Sequence, residues 1–286
     1  MSQTSYVNIL AGGRSGMLAD SGYHEIVSKV AQGLVRAGTL SLIGVAATYQ
    51  NGTFPTPGSV LAIADPVVSA TSILASGGTT ATSPTTFSGA ALNGTTGTAR
   101  MSPARRITFT LSNSANWTAG MTIKVTGVDQ DGYVVTEVLF PPASGNVTLT
   151  TDGYFGRVTN IAVSASGGVA ATFTAGFTAG DGLLGDADSV IPIYDPSREP
   201  LTSGAAPNFD QYADKDPVPC LRRGAIWVVS ETTTNEGDPV FVRMTTSGAN
   251  VPGAFGNAPS TGFSPYPKAV WRTKITVAGL SVMELR

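Results

Sequence analysis

The residue types best suited to chemistry are few in this chain and far apart. His24 is the only histidine and Cys220 the only cysteine among 286 residues. A catalytic triad needs a histidine with two partners beside it, and a structural zinc site needs several histidine or cysteine ligands. A reactive thiol needs a positive neighbourhood and a base, and only Arg222 and Arg223 follow Cys220 closely. We therefore expect His24 to be structural or exposed, and Cys220 to be a small buried residue.

The densest group of carboxylates lies in the segment Asp181-Gly-Leu-Leu-Gly-Asp-Ala-Asp188. Three acidic residues in so short a segment could bind a hard cation weakly. However, the segment lacks the alternating acidic positions and the final glutamate of an EF-hand loop. Turn geometry and solvation explain Asp181, Asp186 and Asp188 equally well, so we predict no metal site and keep weak cation binding as the alternative. No glycine-rich phosphate loop is present, so we also predict no cofactor and no catalytic residue.

Composition favours an all-β protein with many turns. Charged residues make up 13% of the chain and hydrophobic residues 42%, and 34 Gly and 18 Pro are present. Such a chain has enough apolar material to fold, and its abundant turn residues are typical of short strands. The formal net charge is −2, and the one basic cluster (Arg100, Arg105 and Arg106) is too small for a nucleic-acid surface. We therefore predict no nucleic-acid partner.

Neither a membrane span nor a secretion signal is visible in the sequence. No apolar run approaches the ~18–20 residues that a spanning helix requires. The start, Met1-Ser-Gln-Thr-Ser-Tyr6, lacks the basic beginning and apolar core of a signal peptide. We expect no membrane partner and synthesis in a cytoplasm.

The first third of the chain gives mixed signals. Residues 1–22 are rich in Gly and Ser and are predicted to form an extended N-terminal arm. In the segment that follows, Ile26, Val30 and Leu34 would share one face of a helix, whereas Ile26, Ser28 and Val30 would share one face of a strand. The segment is too short for periodicity to decide between the two.

The middle of the chain shows the clearest strand pattern. Apolar and polar residues alternate at 107–111, 121–125 and 147–150, which predicts half-buried antiparallel strands. Turn signals separate these segments, and a spacing of roughly ten residues per strand is typical of a small immunoglobulin-like β-sandwich. The preceding Ser/Thr/Ala/Gly-rich residues, about 70–99 and including Gly77-Gly78, are predicted to be a linker or surface ribbon. We therefore predict that residues 76–180 are an inserted unit of linker plus sandwich.

The last seventy residues read as compact strands joined by Gly and Pro turns. The candidate strands are Ala225–Val229, Pro239–Met244, Val270–Val277 and Leu280–Met283. A long loop, residues 252–267, separates the second from the third. It carries three aromatic residues, Phe255, Phe263 and Tyr266, and aromatic residues are favoured at interfaces. Together with Arg14 and Met17 of the arm they are our candidate interface residues, with local packing as the equal alternative for the aromatics.

The C-terminal order resembles the structural cement, or capsid decoration, proteins of tailed bacteriophages. The resemblance lies in Arg223-Gly224 before a Trp-containing strand, the turn Gly237-Asp-Pro-Val240, then Gly253-Ala-Phe255 and the final Gly279-Leu-Ser-Val-Met-Glu-Leu285. The two ends of family members resemble residues 10–66 and about 183–286. This implies a β-barrel or jelly-roll-like cement domain formed from residues 23–75 and 181–286, with the β-sandwich inserted between them. It also favours a strand for the segment after residue 22.

The resemblance implies a non-enzymatic virion protein, made in the host cytoplasm, that binds the outer surface of an assembled phage capsid. Its partners would be the major capsid protein and further copies of itself, as a dimer or trimer. The alternative is a tail-associated module whose sandwich recognises a host glycan, with Trp117, Tyr133 and Tyr154 as its aromatic candidates. The simplest expectation for Trp117, Trp227 and Trp271 is that they are core or strand-packing residues.

Overall fold

A computed structural model describes residues 14–20, 22–43, 58–63, 71–79, 83–93, 100–112, 116–129, 131–142, 147–165, 170–177, 182, 184, 188–196, 201–203, 206–208, 210–248, 250–260 and 262–286. Over these residues the chain forms β-strands and one short 3-10 helix, Gly89–Asn93, without any α-helix. The prediction of an all-β protein is therefore confirmed. No described helix has the length and apolar character needed to cross a bilayer.

The strands fall into three stretches of the chain. The N-terminal stretch contains β1 (Glu25–Val30), β2 (Val35–Arg36), β3 (Ser41–Ile43) and β4 (Val60–Ala62). The middle stretch contains β5 (Leu74–Gly78), β6 (Thr85–Ser88), β7 (Arg100–Arg105), β8 (Thr108–Ser112), β9 (Ile123–Val128), β10 (Val134–Leu139), β11 (Thr148–Thr150), β12 (Phe155–Val163) and β13 (Thr172–Gly176). The C-terminal stretch contains β14 (Ser189–Pro192), β15 (Leu201–Ser203), β16 (Ala206–Asn208), β17 (Gln211–Tyr212), β18 (Pro217–Ser230), β19 (Pro239–Arg243), β20 (Phe255–Gly256), β21 (Phe263–Trp271) and β22 (Gly279–Leu285).

Five C-terminal strands close into a small barrel. Their order is β20-β19-β21-β22-β18, and a parallel pairing of Ser230 with Phe255 joins β18 back to β20. This pairing closes the sheet on itself, and the inward side chains of Ile226, Trp271 and Met283 are fully buried in one apolar core. We call this unit the C-terminal barrel.

The first half of β18 belongs to a second sheet. There β18 pairs with β1 on one side and β14 on the other, and the sheet continues through β3 to β4. A parallel bridge between Ala31 and Val60 brings β4 back beside the end of β1. The enclosed core includes Val218 and Cys220 of β18. One long strand therefore takes part in two adjacent cores, and Gly224, with φ of 122°, lies where it passes from one to the other.

Strand β1 decides between the helix and strand interpretations of the segment after residue 22. Residues Glu25–Val30 pair antiparallel with β18, and their exposure alternates residue by residue. Val27 packs against the second core, while Ile26, Ser28 and Val30 face solvent. The strand prediction is confirmed.

The middle strands form a β-sandwich. One sheet has the order β10-β9-β12-β6, with β7 also paired to β12, and the other has the order β11-β8-β13-β5. Both sheets contribute to one core, in which Phe173 contacts the rings of Phe87, Phe109 and Trp117. The alternating segments of the sequence account for β8, β9 and β11, because their apolar faces are the ones that this core buries.

The predicted linker contains structured residues. Strands β5 and β6 lie within residues 70–99. Strand β6 is an edge of the sheet that contains β10, and β5 is an edge of the other sheet. Gly77 belongs to β5, and a Cβ atom there would lie 2.5 Å from the ring of Phe173, so close packing requires glycine. The linker prediction was wrong for these strands because edge positions built from Ser, Thr and Gly have a composition like that of a flexible linker.

Strand β21 also differs from its prediction. The sequence placed a strand at 270–277 and a loop at 252–267, whereas the structure has a strand from Phe263 to Trp271. Pro265 and Pro267 argued against a strand, because proline cannot donate to a ladder. They are tolerated because β21 pairs with β19 over residues 263–266 and with β22 only from Ala269 onward.

The described part of the N-terminal arm lies against the chain's own barrel. Gly16 N donates to Trp227 O at 2.7 Å, and Trp227 N donates to Met17 O at 2.8 Å. Ala19 N donates to Ala225 O at 3.0 Å, so residues 16–19 add to the edge of β18. The predicted extended arm, residues 1–22, is thus paired with the barrel over residues 16–19, because backbone pairing needs no apolar side chains. Residues 1–13 lie outside the described residues.

Candidate docking surface

The outer face of β1 carries apolar side chains that none of the described residues covers. Ile26 is 48% and Val30 52% exposed. Across the ladder, Pro217 pairs with Val30 and Pro219 pairs with Ser28, so two proline rings continue this side of the sheet. We call these five residues the β1 face. An exposed cluster of apolar residues on a paired strand is typical of a surface that another protein covers.

Two more exposed apolar residues flank the β1 face along the chain. Tyr23 precedes β1 and Leu34 follows it, and both side chains lie mostly in solvent. The inner side chain of Val27 already packs against the second core. Strand β1 is therefore apolar on both faces, although folding of the monomer requires only one of them.

Open grooves lie at both ends of the β1 face. A groove of about 770 Å³ is lined by Tyr23, Trp227 and Arg272. A second groove of about 660 Å³ is lined by Ser28, Val30 and Pro217, with Asp214 and Lys215. Concave surfaces beside an apolar strand can receive side chains of a partner, which a flat surface cannot.

Paired charges surround the start of β1. Arg222 Nη2 donates to Asp188 Oδ1 at 2.6 Å, and its Nη1 lies 3.9 Å from Glu25 Oε1. The hydrogen bond and charge of Asp188 raise the pKa of the Arg222 guanidinium. Arg223 Nε lies 3.9 Å from the other oxygen of Glu25. These pairs form a polar rim beside an apolar centre, which is the usual arrangement in a protein interface.

Of the predicted interface residues, Arg14 and Met17 lie at the surface. Arg14 Nη1 donates to the Tyr194 hydroxyl at 2.8 Å, and its guanidinium carbon lies 4.9 Å from the centre of the Tyr194 ring. The side chain of Met17 is exposed. Both residues belong to the segment held against β18, and their contact with another protein stays a prediction.

The three predicted interface aromatics lie inside the C-terminal barrel. Phe255, Phe263 and Tyr266 are all buried. The Arg243 guanidinium carbon lies 4.5 Å from the centre of the Phe263 ring. The Tyr266 hydroxyl shares a hydrogen bond of 2.9 Å with Ser189 Oγ, and burial raises the pKa of Tyr266 to about 12. Local packing, the alternative for these aromatics, accounts for all three, and we do not propose them as contact residues.

Cys220 and His24 have structural surroundings. Burial raises the pKa of the Cys220 thiol to about 12, which is opposite to the shift that a nucleophile needs. His24 Nε2 lies 3.3 Å from Asp20 Oδ1, and its ring packs where a side chain on Gly224 would stand.

The candidate cation segment is only partly described. The Asp188 carboxylate accepts a hydrogen bond from Arg222. Asp181 and Asp186 lie outside the described residues. Across the ranges given above, no three His, Cys, Asp or Glu residues are grouped as a metal would require. Weak cation binding by this segment therefore stays untested.

The basic cluster and the aromatic glycan candidates do not lie entirely at the surface. Arg105 is buried with its guanidinium carbon 5.4 Å from the centre of the Phe177 ring, so it does not add to a basic surface. Trp117 is buried in the sandwich, where its Nε1 donates to Ser112 O at 3.0 Å. It is therefore not available to stack on a glycan, whereas Tyr133 is exposed.

The residues of the β1 face were not among the predicted interface residues. Its signal was an apolar residue on each side of one strand, Val27 inside and Ile26 and Val30 outside. That pattern could not be interpreted without knowing which face of β1 meets the core.

Comparison with known proteins finds a match for the C-terminal part of the chain. Residues 196–286 match the model of a phage family described as structural cement protein (E217 gp24/Pam3 gp6). The match includes β15 to β22 and so contains every strand of the C-terminal barrel. The resemblance recognised in the C-terminal sequence is confirmed, and the match supports a structural phage protein. No curated protein matches the chain.

Proposed function

We propose that this protein is a non-enzymatic virion protein that binds the outer surface of an assembled phage capsid and stabilises it. The observation that carries the proposal is the position of the β1 face. Strand β1 pairs with β18, and β18 is also a strand of the barrel that matches the structural cement family. The barrel that matches the structural cement family and the exposed apolar surface therefore share one strand.

Each contact would be modest in energy. Ile26 and Val30 are already half-buried, so covering the remainder of each contributes about 1 kcal/mol. A protein that binds only the assembled shell stabilises it by mass action at every site. Weak contacts become effective when the arm, the β1 face and the grooves reach neighbouring subunits together, because the second contact is then intramolecular. We expect the major capsid protein to be the partner and several copies to assemble on the shell.

The test is binding to undecorated capsids by co-sedimentation, together with the midpoint temperature of DNA release. The double variant Ile26→Asp/Val30→Asp should bind poorly, because two carboxylates would be desolvated at the centre of the contact. Val277→Asp is the matched control, since Val277 is also an exposed valine but lies outside the β1 face.

Circular dichroism should show that both variants are folded. Normal binding by the double variant would reject the β1 face as the contact surface. Failure of the unaltered protein to bind capsids, or to raise the release temperature, would reject the function itself.

A further inference from the structure

The sandwich ends in an uncovered edge strand with an apolar outer face. Strand β10 pairs with β9, and no described strand pairs with its other edge. Val134 is 76% and Val138 42% exposed, with Thr136 exposed between them. Phe140 continues the same alternation just beyond the strand and is also exposed. This surface belongs to the sandwich and is separate from the β1 face.

The backbone of this edge is arranged for pairing. Asp129 N donates to Tyr133 O at 2.9 Å, which makes these two residues a hydrogen-bonded pair at the end of the β9–β10 hairpin. Hydrogen-bonded and non-hydrogen-bonded pairs alternate along an antiparallel ladder. The N–H and C=O groups of Val134, Thr136 and Val138 therefore point away from β9, towards the uncovered edge.

Strand β10 lacks the features that usually prevent edge pairing. Its register with β9 runs without a bulge from Val134 to Leu139, and it contains neither lysine nor proline. Its one charged residue, Glu137, turns its carboxylate to the N–H groups of Asp152 and Gly153, at 2.8 and 2.9 Å. The charge is thus held within the protein and does not oppose an approaching strand.

We propose that β10 is a self-association surface that pairs antiparallel with β10 of a second copy of this chain. With Thr136 on the two-fold axis, Val134 of each copy lies opposite Val138 of the other. Three such pairs supply about six inter-strand hydrogen bonds, and the exposed valines of both copies form one continuous apolar surface. The two five-stranded sheets become a single sheet of ten strands.

Charge supports a second copy in this orientation. The hairpin end of β10 is acidic, with Asp131 exposed in its turn, whereas the exposed Lys124 lies on β9 opposite Val138 at the other end. Antiparallel pairing brings the acidic turn of one copy towards Lys124 of the other at both ends. Parallel pairing would place like charges together.

The association constant can be measured by sedimentation equilibrium of the full-length protein without capsids. Thr136→Pro removes one outward N–H from each copy and leaves the backbone bonds to β9 intact, so association should weaken about tenfold or more. Val138→Lys should weaken it similarly by placing a charge on the apolar surface. Thr86→Lys is the control, because Thr86 is exposed on β6 at the opposite edge of the same sheet.

Cross-linking tests the register. Paired residues on the two-fold axis have Cα atoms about 5.5 Å apart, which a disulfide can bridge. Cys220 is buried, so an introduced cysteine provides the accessible thiol. Under mild oxidation Thr136→Cys should form a disulfide dimer by itself, whereas Val134→Cys and Val138→Cys should cross-link efficiently only when the two variants are mixed.

A protein that stays monomeric at every concentration would overturn the proposal, and so would a dimer unaffected by both Thr136→Pro and Val138→Lys. A disulfide dimer from Val134→Cys alone would also overturn it, because the register would be different. None of these results bears on capsid binding, so the proposed function is tested by a separate experiment.

Discussion

Arg243 and Glu231 form a nearly buried ion pair at one end of the C-terminal barrel. Arg243 Nε donates to both carboxylate oxygens of Glu231, at 2.8 and 2.9 Å, and Nη2 donates to the same carboxylate. The pair joins the residue after β18 to the last residue of β19, while the guanidinium covers the ring of Phe263. It therefore fixes how two strands and one aromatic residue meet where the barrel closes.

Removing one partner of this pair should destabilise the protein strongly. Glu231→Ala leaves the Arg243 charge buried without its carboxylate, and we expect a loss of about 3–5 kcal/mol in the free energy of unfolding. The double variant Glu231→Leu/Arg243→Met should lose clearly less, because no buried charge remains. Urea denaturation measures both, and equal losses would show that the apolar contacts of these side chains matter more than their charges.

Gly224→Ala should be more harmful than an ordinary glycine replacement. Its φ of 122° is unfavourable for alanine, and the added Cβ would lie 2.4 Å from His24 Cδ2. Together these effects should cost about 2 kcal/mol or more in the free energy of unfolding. Gly237→Ala is the matched control, because Gly237 also has a positive φ, of 85°, but no atom lies near its added Cβ.

The difference between the two glycine variants measures the contact with the His24 ring. Adding His24→Ala to Gly224→Ala should recover part of the loss in thermal unfolding. No recovery would mean that backbone strain alone limits this position.

The protein should lose stability in alkaline solution through Cys220. Burial raises the pKa of this thiol from its ordinary value of 9.0 to about 12 in the folded state. The folded state therefore holds its proton more tightly than the unfolded state, so the stability is complete below pH 9 and falls as the pH rises towards 12. The slope from one such group is at most about 1.4 kcal/mol per pH unit.

Urea denaturation between pH 8 and pH 11 checks this slope. Cys220→Ala should flatten it, whatever its effect on stability at neutral pH. Tyr266→Phe should have a smaller effect that begins nearer pH 10, because the ordinary pKa of Tyr266 is 10.0. An unchanged slope in Cys220→Ala would contradict the linkage.

Removing residues 71–177 and rejoining the ends with a short Gly/Ser linker should leave the remaining β-structure folded. The sandwich core is built from residues 73–177, and the other two cores contain no residue from that range. The boundary predicted from sequence, residues 76–180, would leave Ile73 and Leu74 behind without their core. Near-ultraviolet circular dichroism and a cooperative thermal transition check the result, and loss of both would reject the nested arrangement.

The sequence was informative where one strand face is apolar and the other polar. The pattern around Ile107–Leu111 and Ile123–Val125 predicted sandwich strands, because burial there follows the alternation. It was uninformative where strands are built from small residues, as in β5 and β6, or contain proline, as in β21. Those strands form because neighbouring strands pair with them. A short stretch of sequence does not show which strands will be its neighbours.

Only some of the predicted interface residues lie at the surface. Arg14 and Met17 were expected at the surface because Gly and Ser surround them, and they are exposed. Phe255, Phe263 and Tyr266 are buried, because their loop-like sequence forms two strands of a closed barrel. Whether an aromatic residue points into a barrel depends on closure, which involves residues far apart in sequence.

The long strand β18 also has a consequence for synthesis. It supplies pairing partners to β1 near the N-terminus and to β22 at the C-terminus, so neither of the cores it joins can be completed before residues 217–230 leave the ribosome. The sandwich lies earlier in the chain and depends only on its own residues. During translation the sandwich should fold first, while β1 waits without its partner for a strand made about 190 residues later. The middle of the chain should therefore fold before its N-terminal strands. Synthesis of the C-terminal third determines when those strands are paired and no longer prone to aggregate.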